Sequence, residues 1–255
     1  MKKNLAIILL IVFFLSACAS PQKKLAAQQE KDPKYQYEKA SYCVNIGLFD
    51  EAIKYINKTI LLDPNYYLAW YLQGITQSRK GNLNEAEIAY KKCLDINPNF
   101  SEAYYGLGIL YEEQGNLDKA IVEYDKAFSL DQNSGASYQL GVIYFRQNKY
   151  DLALGYVEKS LKKYNRSLYA LNLQGLILDN LGRPSEAIES YKKALDIAPD
   201  ETNIRFNLAY SYYHMNEFSK SKEILEKLLK EVKDPKAMDQ INALLKLIRE
   251  RSAGA

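Results

Sequence analysis

At 255 residues, with 47% hydrophobic and 25% charged side chains, the chain has the balance of a folded protein and the length to bury a core, which excludes disorder throughout. Its formal charge is +3, and falls to 3 − 2 = +1 once Lys2 and Lys3 are counted with the leader described next. A nearly neutral chain lacks the basic stripe that nucleic-acid binding demands.

In chain order, the first element is that leader. Lys2 and Lys3 precede an unbroken apolar run from Leu5 to Leu15, followed by small residues and Cys18. Roughly 20 apolar residues are needed to cross a bilayer and this run has about half as many, so residues 1–17 are predicted to be a secretory signal rather than a membrane span. The junction Leu15-Ser16-Ala17-Cys18 resembles the lipobox of bacterial lipoproteins. That resemblance implies that Cys18 is diacylated on sulfur, that the signal is cut before it, and that the new amine is acylated, with palmitate among the acyl groups. Several chains anchor durably, since each buried methylene adds about 0.8 kcal/mol and one chain alone is marginal. Ala19 and Ser20 follow, rather than an aspartate, which implies transfer to the outer membrane, facing the periplasm. Residues 18–32 are short, polar and aperiodic, and are predicted to be a lipidated, flexible tether.

From Pro33 the chain repeats itself at a period of about 34 residues. One copy reads Tyr104, Leu107, Gly108, Tyr111, Gly115, Ala120, Tyr124 and Ala127. The copy before it reads Trp70, Gly74, Gly81, Ala86, Tyr90, Cys93 and Pro98, and a third reads Leu171, Gly175, Leu178, Gly182, Ala187, Tyr191, Ala194 and Pro199. Weaker copies begin near Pro33, Ser134 and Thr202. The pattern resembles the tetratricopeptide repeat (TPR), and the resemblance implies an all-α fold: a right-handed TPR solenoid of six helix-turn-helix repeats, at 33–66, 67–100, 101–133, 134–167, 168–201 and 202–235. Two small-residue columns, Ala40, Gly74, Gly108, Gly141, Gly175, Ala209 and Ala52, Ala86, Ala120, Ala153, Ala187, Ser221, are predicted to mark where the paired helices cross, with backbones so close that only small side chains fit. Gly47, Gly81, Gly115, Asn148, Gly182 and Asn216 recur where the turn between the helices wants a left-handed residue. Cys43 and Cys93 fall on core positions of different helices and are predicted to be buried hydrophobes rather than a disulfide.

The junction of the third and fourth repeats is one residue short, and Gln132 stands near where a proline is expected, which marks a place for a hinge or for ordinary loop variation. Residues 236–255 form the last element, a capping helix and tail, with Ile241, Leu244, Leu245 and Ile248 on one face, opposite Asp239, Gln240, Asn242, Lys246 and Arg249.

No catalytic or metal-binding set is found along the chain. His214 is the one histidine, without a second His or a Cys to complete a set, and is expected in the groove or on the surface. Glu112 and Glu113 are adjacent on a helix, so they point about 100° apart and are expected on a solvated face. No glycine-rich phosphate loop occurs, and no cofactor, metal or small-molecule substrate is predicted. What remains is the concave face that the TPR resemblance implies, lined by fixed positions of each first helix. One column reads Tyr37, Tyr71, Tyr105, Tyr138, Asn172, Phe206; one turn later it reads Ser41, Ile75, Ile109, Val142, Leu176, Tyr210. This aromatic and aliphatic groove, without the Lys and Asn clamp of many TPR co-chaperones, is expected to take a protein or peptide segment, while the tyrosines also pack between first helices. The expected function is a non-catalytic, membrane-anchored scaffold for a cell-envelope machine. A lipobox before six TPR units is similar in architecture to the pilotin lipoproteins of type IV pilus and secretin assembly. The alternatives are an adaptor of peptidoglycan hydrolases and, remotely, an enzyme whose site is not recognised.

Overall fold

The computed structural model describes residues 28–131 and 134–253. Residues 1–27, which hold the predicted signal and Cys18, lie outside them, as do Gln132, Asn133 and the last two residues. Among the described residues every element is helical: α1 Pro33–Asn45, α2 Phe49–Leu62, α3 Tyr67–Arg79, α4 Leu83–Ile96, α5 Ser101–Glu113, α6 Leu117–Asp131, α7 Ser134–Arg146, α8 Tyr150–Lys163, α9 Leu168–Asn180, α10 Pro184–Leu195, α11 Thr202–His214, α12 Phe218–Glu231 and α13 Pro235–Ala253. The first helix of each pair ends where the sequence supplies a residue that tolerates positive φ. Gly47, Gly81, Gly115 and Gly182 stand at +71 to +80°, and Asn148 and Asn216 at 59° and 58°, so the six predicted turns adopt the same left-handed stop. At the first, Leu48 N–H reaches back to Cys43 O at 2.9 Å and Gly47 N–H to Val44 O at 3.2 Å, capturing carbonyls that the helix end leaves unpaired.

The chain divides into two compact units that separate after Leu110, within the third repeat. In the first unit α1 packs on α2, α2 on α3, α3 on α4, and α1 also touches α3. Its core gathers Ala40, Cys43, Val44, Ala52, Ile56, Ala69 and Leu72. In the second unit consecutive helices from α6 to α13 pack in order, and first helices touch the next first helix at α7–α9 and α9–α11. The last core there joins α11, α12 and α13 through Ala209, Leu225, Leu228, Ile241, Leu244, Leu245 and Ile248. Burying each of those four residues of α13 contributes about 1.5–3 kcal/mol, while Asp239, Gln240, Asn242, Lys246 and Arg249 stay exposed, as a cap requires. The Arg251 guanidinium, 4.9 Å above the Tyr213 ring, ties the end of α13 to α11.

The small-residue columns do meet. In the sixth repeat the Ser221 hydroxyl donates to Ala209 O at 2.7 Å, linking one column to the other. The reason for the glycines differs from the one expected, however. A Cβ on Gly74 would come within 2.5 Å of Tyr90 Cδ1, and one on Gly175 within 2.5 Å of Tyr191 Cζ. The neighbour is therefore an aromatic ring of the second helix laid on the first, not backbone. In the fourth repeat Val157 takes the ring's place, and its Cγ2 would lie 2.6 Å from a Cβ on Gly141.

Of the predicted tether the structure describes residues 28–32. Gln28 and Gln29 are already helical. Glu30 accepts from Lys39 Nζ at 2.8 Å, from Gln36 Nε2 at 3.1 Å and from Lys58 Nζ, which fastens this stretch to α1 and α2. These donors, Lys39 first, hold the Glu30 carboxyl well below the usual range, at about 2.

Candidate functional site: the first-helix faces

In the first unit the predicted column is neither fully buried nor free. Tyr37, Tyr71 and Tyr105, with Ser41, Ile75 and Ile109 one turn later, are all half-buried. The Tyr37 ring lies 5.3 Å from that of Tyr66, and the Tyr71 ring meets Phe100 edge-on at 5.0 Å and Tyr90 at 6.0 Å. Tyr67 meets Phe100 edge-on at 5.1 Å. The partners are thus aromatic residues at the turn before a first helix and, for Tyr71, Tyr90 of the second helix α4. Tyr66 and Phe100 stand 34 residues apart, a periodic aromatic signal in the sequence that the two columns leave out. Burial raises the hydroxyls of Tyr37 and Tyr71, the latter to about 12 with help from the Glu102 charge. Both phenols therefore stay neutral at physiological pH and can donate or accept a hydrogen bond.

In the second unit Tyr138, Val142, Leu176 and Phe206 are half-buried, and Tyr210 is 42% exposed. Tyr138 and Val142 lean on the core of α8–α11, and burial raises the Tyr138 hydroxyl. Asn172 accepts a hydrogen bond from Asn207 Nδ2 at 3.1 Å, a polar rung between α9 and α11 that the columns did not anticipate. A cavity of about 220 Å³ opens between α11 and α13, where Phe206 and Ile241 are apolar and Asn203, Asn207 and Gln240 supply amides. His214 is exposed, its ring edge-on to Tyr210 at 4.4 Å.

The carboxylates correct one expectation. Glu113 is exposed, but Glu112 is not merely solvated: it accepts from the Tyr124 hydroxyl at 3.1 Å and pairs with Arg146 at 3.2 Å. Asp179, in the fifth repeat, stands in the same relation to its own tyrosine. It accepts from the Tyr191 hydroxyl at 3.0 Å and from the Ser211 hydroxyl at 2.8 and 2.9 Å, which ties α9, α10 and α11 together. Burial raises the Asp179 carboxyl in spite of those donors. These groups stitch helices to one another, and each hydroxyl is spent on a structural bond. Cys43 and Cys93 are free and buried, as predicted, and burial pushes the Cys93 thiol up to about 12. Among the described residues no group of three His, Cys, Asp or Glu could hold a metal, and no helix is long and apolar enough to cross a membrane.

Models described as tetratricopeptide repeat match residues 33–66, 67–100, 89–122, 138–202 and 181–245. The chain belongs to the TPR family. Among curated proteins it is 36% identical over 116 residues to a TPR repeat-containing protein of Methanocaldococcus jannaschii, covering 45% of this chain and 20% of that one. It is 28% identical to anaphase-promoting complex subunit 3 of Schizosaccharomyces pombe, covering 70% of this chain and 28% of that one. It is also 29% identical to surface lipoprotein assembly modifier 1 of Neisseria meningitidis, covering 34% and 18%. This chain thus spans between 18% and 28% of the length of these curated relatives. Among solved structures, PilW, titled a widely conserved type IV pilus biogenesis factor, matches with a TM-score of 0.67 at 15% identity, covering 82% of this chain and 97% of that one. YrrB, titled a TPR protein with an unusual peptide-binding site, matches with a TM-score of 0.65 at 21% identity, covering 74% and 97%. Family and fold together support a protein-interaction scaffold.

Proposed function

We propose that this TPR protein is a non-catalytic scaffold of the bacterial cell envelope, lipid-anchored through Cys18 at the periplasmic face of the outer membrane, that holds a protein or peptide segment on its first-helix faces. The observation that carries the binding role is the recurrence, at one position of five of the six first helices, of aromatic side chains left half-buried: Tyr37, Tyr71 and Tyr105 in the first unit, Tyr138 and Phe206 in the second, with Tyr210, one turn later, more open still. An apolar row kept at a soluble surface is costly unless something covers it, and rigid tyrosines lose little entropy on binding. The likeness in fold to PilW and the partial likeness to a surface lipoprotein assembly modifier support assembly of an envelope machine, type IV pilus and secretin assembly first, as the setting.

Photo-crosslinking in the native cell tests the surface. A benzophenone amino acid at Ile75 or Tyr210 should yield a protein adduct, whereas the same probe at Leu61 or Val122, which are 82% and 64% exposed on second helices, should not. Adducts from Leu61 and Val122 alone would sink the first-helix reading. For the anchor, Cys18→Ser should abolish incorporation of a labelled fatty acid, and equal label in both proteins would remove the lipid.

A further inference from the structure

The turn joining α8 to α9 differs chemically from its counterparts. From Lys159 to Leu178 the sequence carries Lys159, Lys162, Lys163 and Arg166 and no carboxylate, whereas the α2–α3 turn holds Asp63 and the α10–α11 turn holds Asp196, Asp200 and Glu201. All four basic residues are exposed. Two tyrosines stand with them, Tyr164 at 61% and Tyr169 at 73% exposure. In the first unit, by contrast, the turn aromatics Tyr66 and Phe100 are spent on the rings of Tyr37, Tyr67 and Tyr71. Some of the basic edge is fixed in place: Lys159 Nζ sits 4.5 Å over the Tyr156 ring and 5.1 Å over Phe128, and Lys163 donates to Asp131 O at 3.2 Å. Glu158 precedes the run, Lys163 reaches Asp131, and Asp125 accepts from the Tyr156 hydroxyl at 2.8 Å under Lys159, so the carboxylates lie at the Lys159 side and the stretch from Lys162 to Tyr169 carries none.

We propose that this turn is a contact surface for a bilayer rich in anionic phospholipid. Basic side chains near such a surface each strengthen partition by roughly fivefold, and tyrosine is among the side chains enriched at the headgroup level. A protein partner is the poorer fit, because a stable protein interface buries about 800 Å² on each side with matching shape. One turn offers little area, and a lipid surface asks for charge rather than shape. The inference is independent of the groove and of acylation at Cys18, although a lipid anchor would hold the turn at high effective concentration beside the headgroups.

The test is hydrogen exchange of the full chain mixed with vesicles of phosphatidylcholine alone or of phosphatidylcholine with 30% phosphatidylglycerol. Amides of 162–169 should be protected only by the anionic vesicles, and 0.5 M salt should release them. Lys162→Glu with Lys163→Glu and Arg166→Glu should weaken that protection by about a hundredfold or more in lipid concentration. The neutral variant Lys162→Gln with Arg166→Gln, which adds no charge of its own, should lie between. Equal exchange in both vesicle types, or protection that survives the charge reversal, would overturn the proposal. Protection by polyglutamate as full as that by phosphatidylglycerol would overturn it in favour of an acidic polypeptide.

Discussion

Gly175→Ala and Gly155→Ala are the same substitution in two helices, and the structure gives them opposite signs. A glycine inside a helix forfeits about 0.5–1 kcal/mol relative to alanine, so a site with room should gain by the change. Gly155, in α8, has no heavy atom within 4 Å of an added Cβ, and Gly155→Ala should stabilise by that amount. On Gly175, in α9, the Cβ would stand 2.5 Å from Tyr191 Cζ, about 1 Å inside ordinary carbon contact. Tyr191 is fully buried and its hydroxyl is fixed on Asp179 at 3.0 Å, so the ring can retreat only by giving up that bond. Overpacking costs about 1–3 kcal/mol, and a hydrogen bond to a charged acceptor is worth about 1.5–3. Net of the helix-propensity gain, Gly175→Ala should cost about 1–3 kcal/mol in urea unfolding followed by circular dichroism. In a Tyr191→Ala background the same change should cost nothing, a coupling a double-mutant cycle can resolve. A Gly175→Ala protein as stable as the parent, or costs that simply add in the cycle, would refute the account of the ring against the glycine.

Three further outcomes follow from the polar contacts. Ser190 donates to Gln174 Oε1 at 3.0 Å, while the equivalent Gln73 Oε1 is buried without a partner opposite Ala89, so Ala89→Ser should stabilise by about 0.5–1.5 kcal/mol in the same assay. The folded-state value of Asp179 lies above its ordinary one, so its contribution is fully present below the ordinary value near 3.8 and declines as pH rises towards the raised value. The stability difference between wild type and Asp179→Asn, which can still accept from both hydroxyls, should therefore fall over that rise, and a flat difference would contradict the burial argument. Glu30 has the reverse sign: depressed to about 2, it secures Gln28–Asp32 above its ordinary value of 4.5 and lets go as pH falls towards 2. Glu30→Gln should speed amide exchange of Gln36 at neutral pH, and unchanged exchange there would show that the ion pairs do no fastening.

The helix pairs, their left-handed stops at Gly47 through Asn216 and the buried face of α13 were legible in the sequence, because each is a local rule repeated every 34 or so residues: a 3.6-residue apolar stripe, a position that needs positive φ, a helix with one greasy side. The positions of the first-helix columns were legible for the same reason. What only the tertiary structure decided is which atoms fill the space between those positions. Gly175 is small because a ring comes to it from sixteen residues away, and Gly141 because Val157 does. Glu112 looks solvated in the sequence and is bound by the Tyr124 hydroxyl of the neighbouring helix, and Asp179 is bound in the same way by Tyr191 and also by Ser211 of the next repeat. Tyr37 and Tyr71 meet the rings of Tyr66 and Phe100, which stand in the turn before the next first helix. A period records where a side chain points along its own helix, whereas its partner is set by how helices close on one another, and that distance exists only once the chain has folded.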